Sequence, residues 1–368
     1  MKRMLTFLGA LALCLGMGCS SFGPRALQAT HPQYNHAISR SLDEQFLLNL
    51  VRLKYRDNPF FLEVSSITTQ QTLEQELTAS ASLLESAADT FKPGAGLTYK
   101  QTPTISYTPL RGDQFLKQIL SPIPLEAVLI LTQSGWSVER VVSICVERVN
   151  DLDNASNASG PTPGREPRYK EFREMVEILR ELQVADAIAL GAAPCPPDEN
   201  GKMKPGNDLV LVIRPQPALA ARIARLKELL GVAGAGNELR LATDFLNRPE
   251  NSLAVRTRSM MGILFYLSHN TQVPAADEAG GLVTITKSAE GGRFDWNAVT
   301  GNLLQVHSAS SRPADAFVAV QHRGAWFHIR NSDLESKSTF MLLSQLFNLQ
   351  AGQIKSMAPA LTIGVGGG

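Results

Sequence analysis

The chain has 368 residues, of which 44% are hydrophobic and 19% are charged, and its 35 basic residues nearly balance its 34 acidic ones. This composition is typical of a folded globular protein, and the length allows two domains or one large one. The near-zero net charge excludes the basic footprint of a nucleic-acid-binding protein, so no nucleic-acid partner is expected.

The N-terminus has the pattern of a secretory signal peptide. Two basic residues, Lys2 and Arg3, precede an uncharged apolar run over residues 4–15. That run is about twelve residues long, whereas a helix needs roughly 20 to span a bilayer. A signal peptide is therefore predicted over residues 1–18.

Cys19 follows the small residue Gly18, and this junction resembles the bacterial lipobox, in which the cysteine becomes the first mature residue and carries lipid. The usual lipobox has Leu three residues before the cysteine, where this chain has Gly16. We expect lipidation at Cys19, followed by a tether over residues 19–37; an ordinary signal peptide with an incidental cysteine is the alternative. Ser20 stands where Asp would retain related lipoproteins at the inner membrane, which favours the outer membrane.

Two cysteines besides Cys19 remain in the predicted mature chain. Cys145 lies in the apolar run "VVSICVERV", and Cys195 lies in the Pro-rich segment "APCPPDENG". In an oxidising compartment, a disulfide between them is one alternative and two free thiols are the other. The pair lacks the ligand spacing of a metal site, so no metal is expected.

Residues 38–150 are predicted to form an N-terminal α+β lobe. Residues 72–84 and 96–108 alternate apolar and polar side chains, which predicts a long antiparallel hairpin with one solvated face. The valine-rich segment 136–149 is interpreted as a strand. The predicted helices of this lobe are residues 41–57, which begin with a capping box, 113–121 and 124–133.

Residues 151–167, "DLDNASNASGPTPGREP", are predicted to be a linker to a C-terminal α+β lobe over residues 168–368. The linker contains two "NAS" triplets that match the glycosylation pattern, but we interpret them as flexible polar chain. Strands at 209–215 and 238–245, with a helix between them, predict one β-α-β unit. The other predicted elements are helices at 168–183, 253–268 and 333–349, and strands at 281–287, 303–308, 316–322, 325–330 and 360–365. The fold class is therefore α+β, with mixed or antiparallel sheets, a long hairpin and packed helices in two linked lobes.

No motif of a familiar catalytic class is present. The chain lacks Gly-x-Ser-x-Gly, His-Glu-x-x-His and Gly-x-x-x-x-Gly-Lys-Ser/Thr. The Thr-x-x-Lys pattern at 284–287 lies on a predicted strand, where its two functional side chains would face opposite sides. We therefore expect no catalytic residue and no cofactor.

The segment "VAVQHRGAWFHIR" predicts a hairpin that turns at Arg323-Gly324. In that register Val320 faces Phe327, and the two form part of an apolar face.

The same register gives a candidate binding surface. His322 and His328 point to opposite faces of the hairpin, so they cannot share a metal ion. Trp326, His328 and Arg330 form a polar-aromatic strip of the kind found at protein interfaces.

Four longer stretches, taken together, resemble a group of uncharacterised bacterial envelope lipoproteins. They are "LLNLVRLKYRDNPFFLEVSSI", "PTISYTPLRGDQFLKQIL", "RTRSMMGILFYLSHNTQVP" and "FVAVQHRGAWFHI" with the downstream "DLESKSTFMLLSQLFNLQAG". The resemblance covers most of the mature chain and implies an envelope lipoprotein, but no particular activity.

The expected function is that of an outer-membrane lipoprotein that acts as a non-catalytic interaction or assembly module. Its expected partners are the membrane, through the N-terminal lipid, and an envelope protein or further copies of itself. Two alternatives remain. One is an oligomeric outer-membrane pore or secretion component that uses the hairpin over residues 72–108; the other is an unrecognised periplasmic enzyme.

Overall fold

The computed structural model describes residues 22–351, apart from residues 82–90, 111, 157–159, 161–162, 196–206, 233, 235 and 247–251. The predicted signal peptide, Cys19 and the predicted strand at 360–365 lie outside the described residues. The described chain forms two compact units: the first comprises residues 22–59 and 113–351, and the second comprises residues 60–112. Helices and mixed sheets both contribute, so the predicted α+β class is confirmed.

The elements are numbered along the chain. The helices are α1 (Phe22–Lys54), α2 (Asp113–Leu120), α3 (Leu125–Gln133), α4 (Val138–Cys145), α5 (Lys170–Val184), α6 (Ala220–Leu229), α7 (Met260–Ser268), α8 (Ala275–Ala279), α9 (Asn297–Thr300) and α10 (Leu334–Ala351). The strands are β1 (Leu62–Ala81), β2 (Phe91–Pro109), β3 (Val146–Val149), β4 (Leu152–Asp153), β5 (Ile188–Pro194), β6 (Asn207–Ile213), β7 (Glu238–Ala242), β8 (Ser252–Thr257), β9 (His307–Ala309), β10 (Ala316–His322) and β11 (Ala325–Arg330).

The tether predicted at 19–37 is helical from Phe22 onward, so this prediction is wrong for most of its length. The predicted capping box accordingly lies inside α1 rather than at its start. An apolar stripe is needed only where a helix packs, and the side chains of α1 are exposed or half-buried over residues 35–45 and buried at Phe46, Leu47 and Leu50. Exposure therefore explains the lack of apolar periodicity over residues 35–45 of the helix.

The second unit contains the predicted long hairpin. Strands β1 and β2 pair antiparallel from Leu62↔Pro109 to Ala81↔Phe91, with one irregularity near Val64. The antiparallel pairing predicted for residues 72–84 and 96–108 is confirmed over the described part, and both strands are longer than predicted.

A six-stranded sheet forms the larger core of the first unit, in the order β4-β3-β8-β7-β6-β5. Every pairing is antiparallel except that of β7 with β8. Apolar side chains of α4, α5 and α6 pack against this sheet in one buried cluster. The predicted β-α-β unit is wrong in its pairing, because β6 and β7 lie side by side antiparallel, with Leu211 opposite Leu239.

Two segments that were predicted as single elements change type part-way along. Residues 136–149 were predicted as a strand, but they form α4 and then β3, because Ser137 accepts a hydrogen bond from the backbone N–H of Arg140 and starts a helix. Residues 253–268 were predicted as a helix, but they form β8 and then α7, which begins where Ser259 accepts from the N–H of Gly262. In the first segment the serine cap begins the helix that precedes the strand. In the second segment the serine cap begins the helix that follows the strand.

The linker predicted at 151–167 does not separate the two compact units, because it lies within the first. Leu152 and Asp153 form β4 at the edge of the six-stranded sheet. Asn154 is only 4% exposed, and its side-chain amide donates to the carbonyl oxygens of Ser143 and Val146. This asparagine satisfies backbone groups at the end of α4, which is why a polar residue is buried there, and its amide does not lie on the surface as a glycosylation site would require.

The smaller sheet of the first unit has the order β10-β11-β9, and α1 packs beside β10. Helices α2, α3, α5 and α10 match their predictions to within a few residues. The predicted strand at 281–287 is absent, since its described residues contribute only the isolated bridge Lys287↔Arg293. None of the described helices combines the length and the apolar character needed to cross a membrane.

Candidate functional site

The hairpin β10–β11 has the predicted register. Arg323 and Gly324 form its two-residue turn with φ values of 49° and 82°, which match the right-handed twist of the strands. Val320 lies opposite Phe327 as predicted, and both are buried. The turn chemistry and the alternation of side chains therefore placed this hairpin correctly.

The structure places the two histidines of the hairpin on opposite faces, as predicted. The Nε2 atom of His322 lies 3.1 Å from Oδ2 of Asp57, on the face toward α1. Burial lowers the pKa of His322, and the Asp57 carboxylate opposes this effect. His328 lies on the other face, beside His307 of the neighbouring strand β9.

The predicted strip of Trp326, His328 and Arg330 is only partly available to a partner. Trp326 is half-buried with the guanidinium of Arg312 over its ring, 5.3 Å from the centroid, and Arg330 is exposed. His328 is only 9% exposed and its ring lies 5.6 Å from that of His307. The accessible strip therefore consists of Trp326, Arg330 and Arg312. The prediction that His328 belongs to the exposed strip is wrong, because this side chain is buried.

Burial sets the protonation of the two neighbouring histidines. It lowers the pKa of both His307 and His328, and the cationic Arg330 lowers both further. Both rings are therefore held toward the neutral form at neutral pH.

A polar cavity of about 140 Å³ lies at the end of α1, and we call it the Lys54 pocket. It is built by the end of α1, the segment after α7, one residue of α8 and the loop before α9. Its lining residues are Lys54, His269, Asn270, Thr271, Gln272, Glu278, Val283, Thr284, Ile285, Thr286, Arg293, Phe294, Asp295, Trp296 and Asn297.

Lys54 is the central cation of this pocket. It is partly buried, and its Nζ donates to the carbonyl oxygen of His269 at 2.9 Å. Burial, together with the nearby Arg293 guanidinium, lowers its pKa to about 8, and the Glu278 carboxylate opposes this shift. Arg293 and Glu278 are already paired with each other at 2.8 Å. Among the described residues, no carboxylate forms an ion pair with Lys54.

Two aromatic rings form part of the pocket wall. The ring of His269 stacks on Trp296 with centroids 4.4 Å apart and an interplanar angle of 26°. The indole Nε1 of Trp296 donates to Oγ1 of Thr286 at 2.9 Å, which fixes the plane of the indole ring. Thr271 is 2% exposed, and its hydroxyl has no hydrogen-bond partner among the described residues.

A second, apolar cavity of about 70 Å³ lies inside the core of the six-stranded sheet. Its walls are aliphatic side chains of the surrounding helices and strands, including Val142, Met175, Leu211 and Leu253. The volume is well below the roughly 300 Å³ at which drug-sized ligand pockets begin, so we interpret it as a packing void of the core.

Cys145 and Cys195 are not joined by a disulfide, so the disulfide alternative is not the arrangement found. Cys145 is fully buried at the end of α4, and burial raises its pKa to about 12. Cys195 follows β5 and is partly exposed, with its Sγ 3.3 Å from Oδ1 of Asp208.

Sequence reasoning missed Lys54, Thr271 and His307. Lys54 is the last residue of α1 and belongs to no local motif, and the pocket around it is closed by residues more than 200 positions later. His307 meets His328 only through the pairing of β9 with β11. No local pattern carries this information, because each of these contacts is between distant parts of the chain.

Within the described ranges, no group of three or more His, Cys, Asp or Glu side chains is arranged to hold a metal ion. Comparison of the chain with protein-family models, with curated proteins and with solved structures finds no significant match. The function must therefore be argued from the residues and the geometry.

Proposed function

We propose that this chain is a lipid-anchored protein of the bacterial outer membrane whose folded part is a non-catalytic interaction module. The observation that carries the proposal is the junction of a basic start, a short apolar run and Gly18-Cys19. Three residues after Cys19, α1 begins at Phe22 and continues to Lys54 in the first unit. Lipid at Cys19 would then be joined to the folded unit through a helix.

The anchor is tested by labelling cells that express the full chain with an alkyne-bearing fatty acid. We expect label and membrane association for the native chain, and the loss of both in Cys19→Ala. Cys14→Ala is the matched control, because it removes the other cysteine of the same segment, and it should keep the label. A Cys19→Ala chain that remains lipid-labelled would overturn the proposal.

The candidate binding surface is the accessible strip of Trp326, Arg330 and Arg312. Aromatic and arginine side chains are enriched at protein interfaces because they bury a large area and retain directional hydrogen bonds. The neighbouring Gln321, opposite Trp326 in the sheet, is exposed and gives a position for a probe. The proposed partner is an envelope protein or a second copy of this chain.

A photo-crosslinking amino acid at Gln321, with the lipid anchor intact, tests this surface. We expect one discrete crosslinked product there, and we expect Trp326→Ala to abolish it. The same probe at Leu246, which is 94% exposed, is the control and should give no such product. Equal crosslinking at both positions, or an unchanged product in Trp326→Ala, would argue against a binding surface at the strip.

The long hairpin favours a second candidate function, an oligomeric pore or secretion component. Within the described residues, β1 and β2 pair only with each other, so each keeps one edge of unpaired backbone groups. Edges of this length are able to pair with the hairpin of another copy.

This candidate predicts detergent-stable rings and protection of residues 72–108 from protease in membranes. Trypsin should then spare Lys100 within the hairpin while cutting at the exposed Lys287 of the first unit. A monomer whose hairpin is cut at Lys100 as quickly as at Lys287 would exclude the pore.

A further inference from the structure

The ammonium group of Lys54 forms no ion pair with a carboxylate of the described residues, although Glu278 in the same pocket attracts it from beyond ion-pair distance. The Nζ of Lys54 donates to a neutral carbonyl oxygen, and Glu278 is itself paired with Arg293. A partly buried ammonium that no carboxylate contacts is costly, and an anion that enters the cavity relieves that cost.

A second, independent feature of the pocket also points to a ligand. Thr271 lines the same cavity, and its buried hydroxyl lacks a hydrogen-bond partner in the described chain. Buried polar groups in native proteins are nearly always satisfied, so an unsatisfied hydroxyl in a cavity wall indicates a group that arrives from outside.

We propose that the Lys54 pocket binds a small molecule with a single carboxylate, with Lys54 as its counter-ion and the Thr271 hydroxyl as a hydrogen-bond partner. This site is separate from the accessible strip and does not depend on the proposed interaction function.

The size and charge of the pocket define this ligand class. A cavity of about 140 Å³ is smaller than the pockets of drug-sized ligands, so the ligand is small. Glu278 and Asp295 also line the pocket, and their negative charge disfavours a doubly charged anion such as phosphate. The rings of His269 and Trp296, which stack on each other and are 8% and 6% exposed, form part of the pocket wall and add an apolar contact for the body of a small carboxylate.

Binding should depend on the protonation of Lys54. The charged or titratable groups around it are Arg293, Glu278, Asp295 and the ring of His269. A carboxylate stabilises the ammonium form, so binding raises the pKa of Lys54 from about 8 and takes up a proton when the pH is above that value. The affinity should therefore fall as the pH rises above 8, by about tenfold per pH unit until the pKa of the bound state is reached.

The test is a titration of the full mature chain with sodium benzoate, followed by calorimetry and by NMR of ¹³C-methylated lysines. We expect saturable binding in the millimolar range, with an upward shift of the Lys54 pKa. Inorganic phosphate and benzylamine are the comparison ligands and should bind at least tenfold more weakly.

Three variants locate the site. Lys54→Met should abolish binding, and Thr271→Val, which keeps the shape but removes the hydroxyl, should weaken it several-fold. Lys287→Met is the matched control: it removes an exposed lysine one residue beyond the pocket and should leave binding unchanged. If Lys54→Met does not fold, Thr271→Val and the pH dependence of the native chain still decide the question. The absence of saturable benzoate binding, phosphate binding as tight as benzoate, or binding that is indifferent to Thr271→Val and to pH would overturn the proposal.

Discussion

The phenol of Tyr55 donates a hydrogen bond to Oδ2 of Asp277 at 2.5 Å, and this contact joins the chain just after α1 to α8, 222 residues later. Burial, together with the negatively charged Asp277, raises the pKa of Tyr55, so the phenol stays protonated as the donor. The same ring also contacts His322 and Phe327 of the small sheet. Tyr55 thus connects the segment after α1 with the wall of the Lys54 pocket and with the hairpin.

Tyr55→Phe should lower the free energy of unfolding by about 1–2 kcal/mol, because it leaves the shape intact but removes a buried donor to a carboxylate. Urea denaturation at neutral pH measures the effect. Tyr169→Phe is the control, since the Tyr169 ring packs against Phe294 and its phenol makes no hydrogen bond within the described residues, and it should change stability by less than about 0.5 kcal/mol. Equal effects of the two substitutions would show that the hydrogen bond to Asp277 does not contribute.

Arg258→Met should lower the free energy of unfolding by about 3 kcal/mol, because the buried guanidinium satisfies several backbone carbonyls that Met leaves unpaired. Arg258 is 3% exposed and lies over the ring of Tyr266, 3.8 Å from the centroid. The acceptors are the carbonyl oxygens of Ser143, Ile144, Val146 and Asn154.

Denaturant unfolding of Arg258→Met should be compared with that of Arg256→Met. Arg256 lies two positions earlier, on β8, and is exposed. Its guanidinium lies over the ring of Phe245. Its loss should cost less than about 1 kcal/mol. A small effect at position 258 would mean that its acceptors find other donors.

Gly324→Ala should destabilise the chain by about 1 kcal/mol, because φ is 82° at this turn position and a Cβ is strained there. The cost is conformational, since beyond the glycine and its two chain neighbours no described atom lies within 4 Å of the position that the Cβ would occupy. Gly164 has equal space without a left-handed φ, so Gly164→Ala should be neutral within about 0.5 kcal/mol. Thermal unfolding of the two variants decides between strain and crowding.

Cys145 and Cys195 should react at very different rates. Iodoacetamide should modify Cys195 in the native protein, whereas Cys145, which is buried with its pKa raised to about 12, should react only after unfolding. Peptide mass spectrometry with and without denaturant measures both rates, and Cys195→Ser should remove the fast reaction. A peptide pair linked through Cys145 and Cys195 would contradict the structure.

The free energy of unfolding should depend on pH through Lys54. The pKa of Lys54 is about 8 in the folded chain, against about 10.4 for an exposed lysine, so the unfolded chain binds more protons between these values. The stability of the native chain, relative to that of Lys54→Met, should therefore be constant below about pH 7 and rise between about pH 8 and 10. Denaturant unfolding of both proteins across this range measures the difference. Parallel pH profiles would show that Lys54 is not perturbed.

Much of the local structure could be predicted from the sequence. Helices α5 and α10 have buried stripes at helical spacing, and β1 pairs with β2 where alternation is clearest. The register of β10 and β11 follows from the two turn residues, Arg323 and Gly324. In each case the determining interactions lie within one element or across one short turn.

Predictions failed where a short apolar run could serve either type of element. Ser137 begins a helix inside a valine-rich run, and the run continues as β3 after Cys145. The polar residues after Asn150 indicated a linker, but Asn154 is buried as a donor to two carbonyls. A polar side chain can be exposed to solvent, or it can be buried and form hydrogen bonds with buried backbone groups. Which of the two occurs depends on the parts of the chain that pack around it, and a stretch of a few residues does not reveal them.

Local patterns in the chain are enough to predict the α+β class, the long hairpin and the opposite faces of His322 and His328, because periodicity and turn geometry act between neighbours. The antiparallel pairing of β6 with β7, the burial of His328, and the shared cavity of Lys54, Thr271 and Trp296 are visible only in the folded chain. These features arise from contacts between residues tens to hundreds of positions apart. Their energies depend on burial and on the partners that folding supplies, so they exist only once the whole unit is assembled.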